Sequence, residues 1–149
     1  MLDEFNEIID YAIQNEKDAY KLYSYLSKKM NDQAAKKLLA DLANEEKNHK
    51  IQLENFKQLG IERFKIRKVK DLKLTDHMVT DKVSLEASPQ ELLLYAIKKE
   101  NEAYILYREL KESVEDPDSI VAFDELSKFE LEHKNKLERL YDDLFNRDN

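Results

Sequence analysis

The sequence predicts an all-α protein, an antiparallel bundle of four helices made from two duplicated helix pairs. Three observations lead there. The 149 residues include one Gly and two Pro, too few for the turns of a sheet, while the helix formers Glu, Lys, Leu and Ala abound. Apolar residues recur at three- and four-residue spacing over four long segments, the period of a helix with one face on a core. The stretch "AIQNEKDAYKLY", residues 12–23, returns as "AIKKENEAYILY", residues 96–107, with seven of twelve positions identical. A chain of this length is expected to form one domain over 1–149.

Taken in order, Phe5, Ile8, Ile9, Ala12, Ile13, Ala19, Tyr20, Tyr23 and Leu26 give a first helix from about residue 3 to 29. "MND", residues 30–32, makes a short turn, so the second helix must run back along the first. Its stripe passes through Ala35, Leu38, Leu39, Leu42, Leu53 and Phe56, giving 33–59, with Gly60 suited to a C-terminal cap. A long crossover, about 60–88, follows. "SPQE" then opens the third helix, 89–114, with Ser88 as cap, Pro89 at the first position and Glu91 as the capping-box acid. Its stripe is Leu93, Ala96, Ile97, Tyr104, Tyr107 and Leu110. "EDPDS", residues 115–119, breaks the chain before a fourth helix, 118–146, marked by Ile120, Phe123, Leu126, Leu137, Leu140 and Leu144. A shift of 84 residues lays Leu42 on Leu126, Glu46 on Glu130, His49 on His133 and Leu53 on Leu137. One constant offset across two separate helices is the mark of a duplicated helix pair.

Composition removes several functions. With no cysteine, disulfides, thiolate metal sites, iron–sulfur clusters and cysteine nucleophiles are excluded, so any metal must be held by oxygen and nitrogen. The opening "MLDEFNEIID" lacks a basic region followed by an apolar core, and no run of about eighteen apolar residues occurs. Neither export nor membrane spanning is expected, and a cytoplasmic protein is. A net charge of −7 argues against nucleic acid as a partner. The basic stretch "RFKIRKVKDLK", residues 63–73, reads as crossover packed on the bundle or on a second subunit, and His77 as a surface residue.

Acids on the apolar stripes carry the chemistry. Glu46 lies four residues after Leu42, and His49 four before Leu53; Glu130 and His133 hold the same places between Leu126 and Leu137. Each of these helices thus presents an inward Glu-x-x-His pair, carboxylate and imidazole about 5–6 Å apart at Cβ and within reach of one ion. Glu16 follows Ile13 by three, and Glu100 follows Ile97 by three, which brings a third and fourth acid inward. Four bare carboxylates in a bundle interior are prohibitive, because each buried ion costs several kcal/mol and like charges repel. Two divalent cations balance four carboxylates and leave neutral imidazoles as ligands. Protonation also removes the charge, but gives no reason for a histidine beside two of the acids. Glu45 and Glu132 lie about 100°, and Glu102 about 160°, around their helices from the ligands and read as solvated or surface groups. Tyr20 and Tyr104, four residues past Glu16 and Glu100, are expected to support the ligands, and Tyr23 and Tyr107 to pack in the core with their hydroxyls reaching a partner.

A duplicated carboxylate and Glu-x-x-His set in a bundle resembles the ferritin-like diiron superfamily, and within it the rubrerythrin branch. The residues that carry the resemblance are Glu16 in "NEKDAYKLY", Glu46 and His49 in "LANEEKNH", Glu100 in "KENEAYILY", and Glu130 and His133 in "LSKFELEH". The resemblance implies Glu16 and Glu100 as terminal ligands, Glu46 and Glu130 as bridging ligands, and His49 and His133 each on one of two iron ions. Manganese and zinc suit the same donors, so iron is preferred through the likeness. Rubrerythrins usually carry a further glutamate where this chain has Ala103, with Ala19 at the matching place in the first helix. The six-residue set is thus similar to that of bacterioferritin. No cysteine is present for a rubredoxin-type domain, so electrons are expected from an external donor. The implied work is redox, ferrous iron reducing O2 or hydrogen peroxide. A homodimer is expected, and the length of the crossover would allow its helix pairs to be exchanged between subunits. An iron-binding or storage protein of ferroxidase type is the alternative, and a metal-free bundle serving as an interaction module is a third.

Overall fold

The computed structural model describes residues 2–59 and 84–146. They form four helices, α1 (Leu2–Lys29), α2 (Gln33–Leu59), α3 (Pro89–Ser113) and α4 (Pro117–Phe145), each within a residue of its expected bounds. Gly60, the basic stretch 63–73 and His77 lie outside the described residues, as does most of the expected crossover. No helix among the described residues is long and apolar enough to cross a membrane.

The helices begin where local chemistry allows. Asp32 Oδ2 accepts from the Ala35 amide at 3.1 Å and satisfies one of the free N–H groups that open α2. At α3 the Ser88 hydroxyl accepts from the Glu91 amide at 3.2 Å, and Pro89 fills the first turn. The "EDPDS" break does more than interrupt the chain. Asp116 caps α4, its Oδ2 accepting from the Ser119 amide at 3.0 Å and from the Ser119 hydroxyl at 2.7 Å, with Pro117 again in the first turn.

The closest packing is within the pairs α1–α2 and α3–α4; α1 also meets α3, and α2 meets α4. The core divides into two apolar clusters. The first joins Phe5, Ile8, Ile9 and Ala12 of α1 to Leu53 of α2, Leu106 and Leu110 of α3, and Phe123 and Leu126 of α4. The second joins Leu22 and Leu26 of α1 to Leu39 and Leu42 of α2, Leu92 and Leu93 of α3, and Leu137 and Leu140 of α4. The start of α1 therefore meets the end of α3, and the start of α2 meets the end of α4, so these neighbours are antiparallel too. All four helices are clamped at both levels, and the side chains between the two clusters have their positions imposed by apolar packing above and below.

Candidate metal centre

Between the clusters the sequence puts polar residues on stripe positions, and the fold buries them. Glu16, Glu46, Glu100 and Glu130 are 1–3% exposed, and His49 and His133 are 5% and 1%. Each helix contributes at least one of the six. Ligand atoms of Glu16, Glu46, His49 and Glu130 lie within 4.8 Å of one another, as do those of Glu46, Glu100, Glu130 and His133. Glu46 and Glu130 belong to both groups, while Glu16 with His49 and Glu100 with His133 belong to one each. All six predicted ligand residues are therefore brought together, in two overlapping sets that obey the internal repeat.

Both histidines turn Nδ1 to the centre. His49 Nδ1 lies 2.9 Å from Glu130 Oε1, 3.7 Å from Glu16 Oε2 and 3.8 Å from Glu46 Oε2. His133 Nδ1 lies 2.6 Å from Glu46 Oε1, 3.6 Å from Glu130 Oε2 and 3.8 Å from Glu100 Oε2. The imidazoles stack with centroids 5.8 Å apart. Each histidine thus meets the glutamate of the opposite pair more closely than its own, which ties α2 to α4, a pair less closely packed than α1–α2 or α3–α4.

Two tyrosines hold the outer carboxylates. Tyr107 donates to Glu16 Oε1 at 2.5 Å, and Tyr23 donates to Glu100 Oε1. The other oxygen of each acid, Oε2, is buried without a hydrogen-bond partner. This corrects the expected support residues. Tyr20 is 38% exposed, and the Tyr104 hydroxyl accepts from Arg108 at 3.1 Å. A helical side chain leans toward the N-terminus and covers the turn before its own Cα. Tyr23 and Tyr107, seven residues past Glu16 and Glu100, therefore reach back across the α1–α3 interface to the partner acid, while residues four along lie to the side.

A second correction concerns Glu45. It is not merely solvated, since its carboxylate meets His133 Nε2 although its side chain is 41% exposed. Glu102 pairs with Lys99 at 3.2 Å and Glu132 with Lys136 at 3.5 Å, as expected of surface acids.

Buried this close together, the groups shift one another's protonation. Burial, then the charge of Glu130, raises the pKa of Glu16. Burial, then the charges of Glu100, Glu130 and Glu16, raises that of Glu46 well above the carboxylate range. Glu100 is likewise raised, by burial and then by Glu130. For Glu130 burial acts upward as well, but the close approach of Glu100 and His133 and the hydrogen bond with His49 outweigh it and hold the group well below the usual value. Burial lowers His49, yet its hydrogen bond to Glu130, the nearby Glu16 carboxylate and the charges of both bring it to about 10. Without cations, protons must do the neutralising. Tyr23 and Tyr107 are pushed well above 10 by burial and the neighbouring acids, so both remain donors.

Divalent ions fit these residues. Two groups of three carboxylates and one imidazole converge, two buried carboxylate oxygens have no hydrogen-bond partner, and four acids balance two doubly charged ions. Fold and site together define a four-helix bundle whose interior carries a carboxylate–histidine cluster able to bind metal. The family model for rubrerythrin matches residues 7–88 and 91–149. The chain belongs to the rubrerythrin family. No curated protein and no solved structure matches it significantly.

Proposed function

We propose that this protein binds two iron ions in the interior cluster and uses them to reduce hydrogen peroxide or O2. The observation that carries the reading is the pair of overlapping ligand groups, each within 4.8 Å, that share Glu46 and Glu130. Glu16 and His49 would hold one ion, Glu100 and His133 the other, and Glu46 and Glu130 would bridge. When bound, two ferrous ions supply two electrons, which with two protons convert one hydrogen peroxide to two waters.

The protein's part is positional and electrostatic. Tyr107 and Tyr23 fix one oxygen of Glu16 and Glu100 and leave the other free to face a cation. The two apolar clusters close the site above and below along the bundle. A cavity of about 510 Å³ between α1 and α3, bordered by Ala19, Leu22, Tyr95, Lys99 and Ala103, reaches Glu16, Glu46 and Glu100 and offers a small oxidant a route in. The reading calls for an external electron donor to restore the ferrous state.

Stopped-flow oxidation of the ferrous-loaded protein by peroxide and by O2 tests this. The expected result is one peroxide consumed per two ferrous ions, faster than with free iron at equal concentration. Oxidation no faster than free iron would end the redox claim. Retention of many ferric ions per chain in a very large assembly, seen by light scattering, would identify a storage protein instead.

A further inference from the structure

The two ligand groups match residue for residue, and each offers three carboxylates and one imidazole through Nδ1. The repeat breaks one step outside them. Position 45 is Glu, and the position 84 residues later is Phe129. Glu45 meets His133 Nε2. The Phe129 ring lies 5.6 Å from the His49 ring, and a phenyl group offers no oxygen acceptor, at most a weak π contact.

We propose that Glu45 makes the two cation positions unequal, giving the position built on His133 the higher affinity so that it fills first. The claim rests on the cluster being a two-cation site and adds an order of occupation to it. A carboxylate accepting from Nε2–H keeps that proton on Nε2, leaves the Nδ1 lone pair facing the centre, fixes the ring plane and raises the donor strength of Nδ1. His49 has packing against its ring but receives no such support from Phe129. Glu45 is thus a positioning residue, acting through His133 and touching no bound ion. Removing a partner of this kind weakens metal binding by 10–100-fold; as Glu45 is 41% exposed, the expected difference between positions is about 10-fold, the lower end of that range.

The test follows the histidine rings one at a time. A chelator-treated, 15N-labelled full chain is titrated with Zn2+, and long-range 1H–15N spectra report Nδ1 and Nε2 of His49 and His133, assigned with single-histidine variants. At one Zn2+ per chain, the His133 Nδ1 resonance is expected at its metal-bound position, with His49 still largely metal-free. Glu45→Ala should make the two histidines respond together, and Glu45→Gln, which retains an accepting oxygen, should keep His133 ahead. Phe129→Glu supplies the missing acceptor on an exposed position and should also bring the responses together. Melting curves verify that the variants are folded. Parallel response of both histidines in the native chain, His49 responding first, or an order unchanged in Glu45→Ala would overturn the assignment. Absence of any Zn2+ response would remove the metal site as well, so the two failures are distinguishable.

Discussion

Replacing Glu46 by Gln should make the metal-free chain more stable and weaken its stabilisation by metal. Glu46 is 1% exposed, and burial followed by three neighbouring acids pushes its pKa well above 4.5. At pH 7.5 the metal-free fold must keep an ion there or take up a proton. Protonating a group of pKa 4.5 at that pH costs about 4 kcal/mol, at about 1.36 kcal/mol per unit. That is the ceiling on the gain, because glutamine keeps the shape without the charge, and its amide can still hydrogen-bond with His133 Nδ1, now 2.6 Å from Glu46 Oε1. Each kcal/mol moves the melting temperature of a chain this size by about 2–4 °C. The expected rise at pH 7.5 is at least roughly 2–4 °C, with a ceiling of about 8–16 °C, and it shrinks toward zero near pH 4.5, where the free acid is itself half protonated. With cation present the sign reverses. A ligand at 100 times its dissociation constant stabilises by about 2.7 kcal/mol per site, roughly 5–11 °C, and an amide cannot replace the shared anionic bridge. Calorimetric melts of native and variant protein, in chelator and in Zn2+, at pH 5 and 7.5, measure all four quantities. A metal-free variant that melts below the native chain at pH 7.5, or one with an undiminished metal-induced rise, refutes the reasoning.

The metal-free chain should lose stability as pH rises. The pKa values of Glu16, Glu46 and Glu100 are raised from 4.5 and that of His49 from 6.5 to about 10, so the folded state holds more protons than the unfolded one. The carboxyl contribution declines upward from pH 4.5 and the His49 contribution between 6.5 and about 10, while Glu130, lowered, opposes them only below 4.5. Cation binding needs the deprotonated ligands, so the metal-induced rise in melting temperature should grow with pH; melts from pH 5 to 9 with and without chelator check both, and a metal-free maximum at pH 9 contradicts the account. Tyr23→Phe and Tyr107→Phe each remove a donor from a buried carboxylate and should cost about 1.5–3 kcal/mol, read from denaturant unfolding in chelator. Tyr20→Phe, at an exposed position, should fall within about 0.5 kcal/mol of native.

The fold was legible because the helical period is strong in all four segments and the repeat fixes their pairing. The six cluster residues were legible for a related reason: a carboxylate or imidazole on an apolar stripe, four after Leu42 or Leu126, four before Leu53 or Leu137, or three after Ile13 or Ile97, is an anomaly that burial makes costly, and the anomaly recurs at the same offset. Supporting residues were harder. Tyr23 and Tyr107 look like ordinary stripe residues, and their bonds to Glu100 and Glu16 depend on how side chains lean across an interface between helices distant in sequence. Glu45 sits about 100° away from Glu46 around α2, where position alone predicts solvent; only the packing of α4 brings His133 Nε2 to it. Asp116 was hidden in a segment read as a break, although an Asp followed by Pro is itself a capping signal.

Metal content tests the central claim most directly. The purified chain is reconstituted anaerobically with ferrous iron, freed of unbound metal, and measured for iron and protein. Two ions per native chain, with a clear loss in Glu46→Gln, is the predicted result. Far less than one ion per native chain after reconstitution would contradict it.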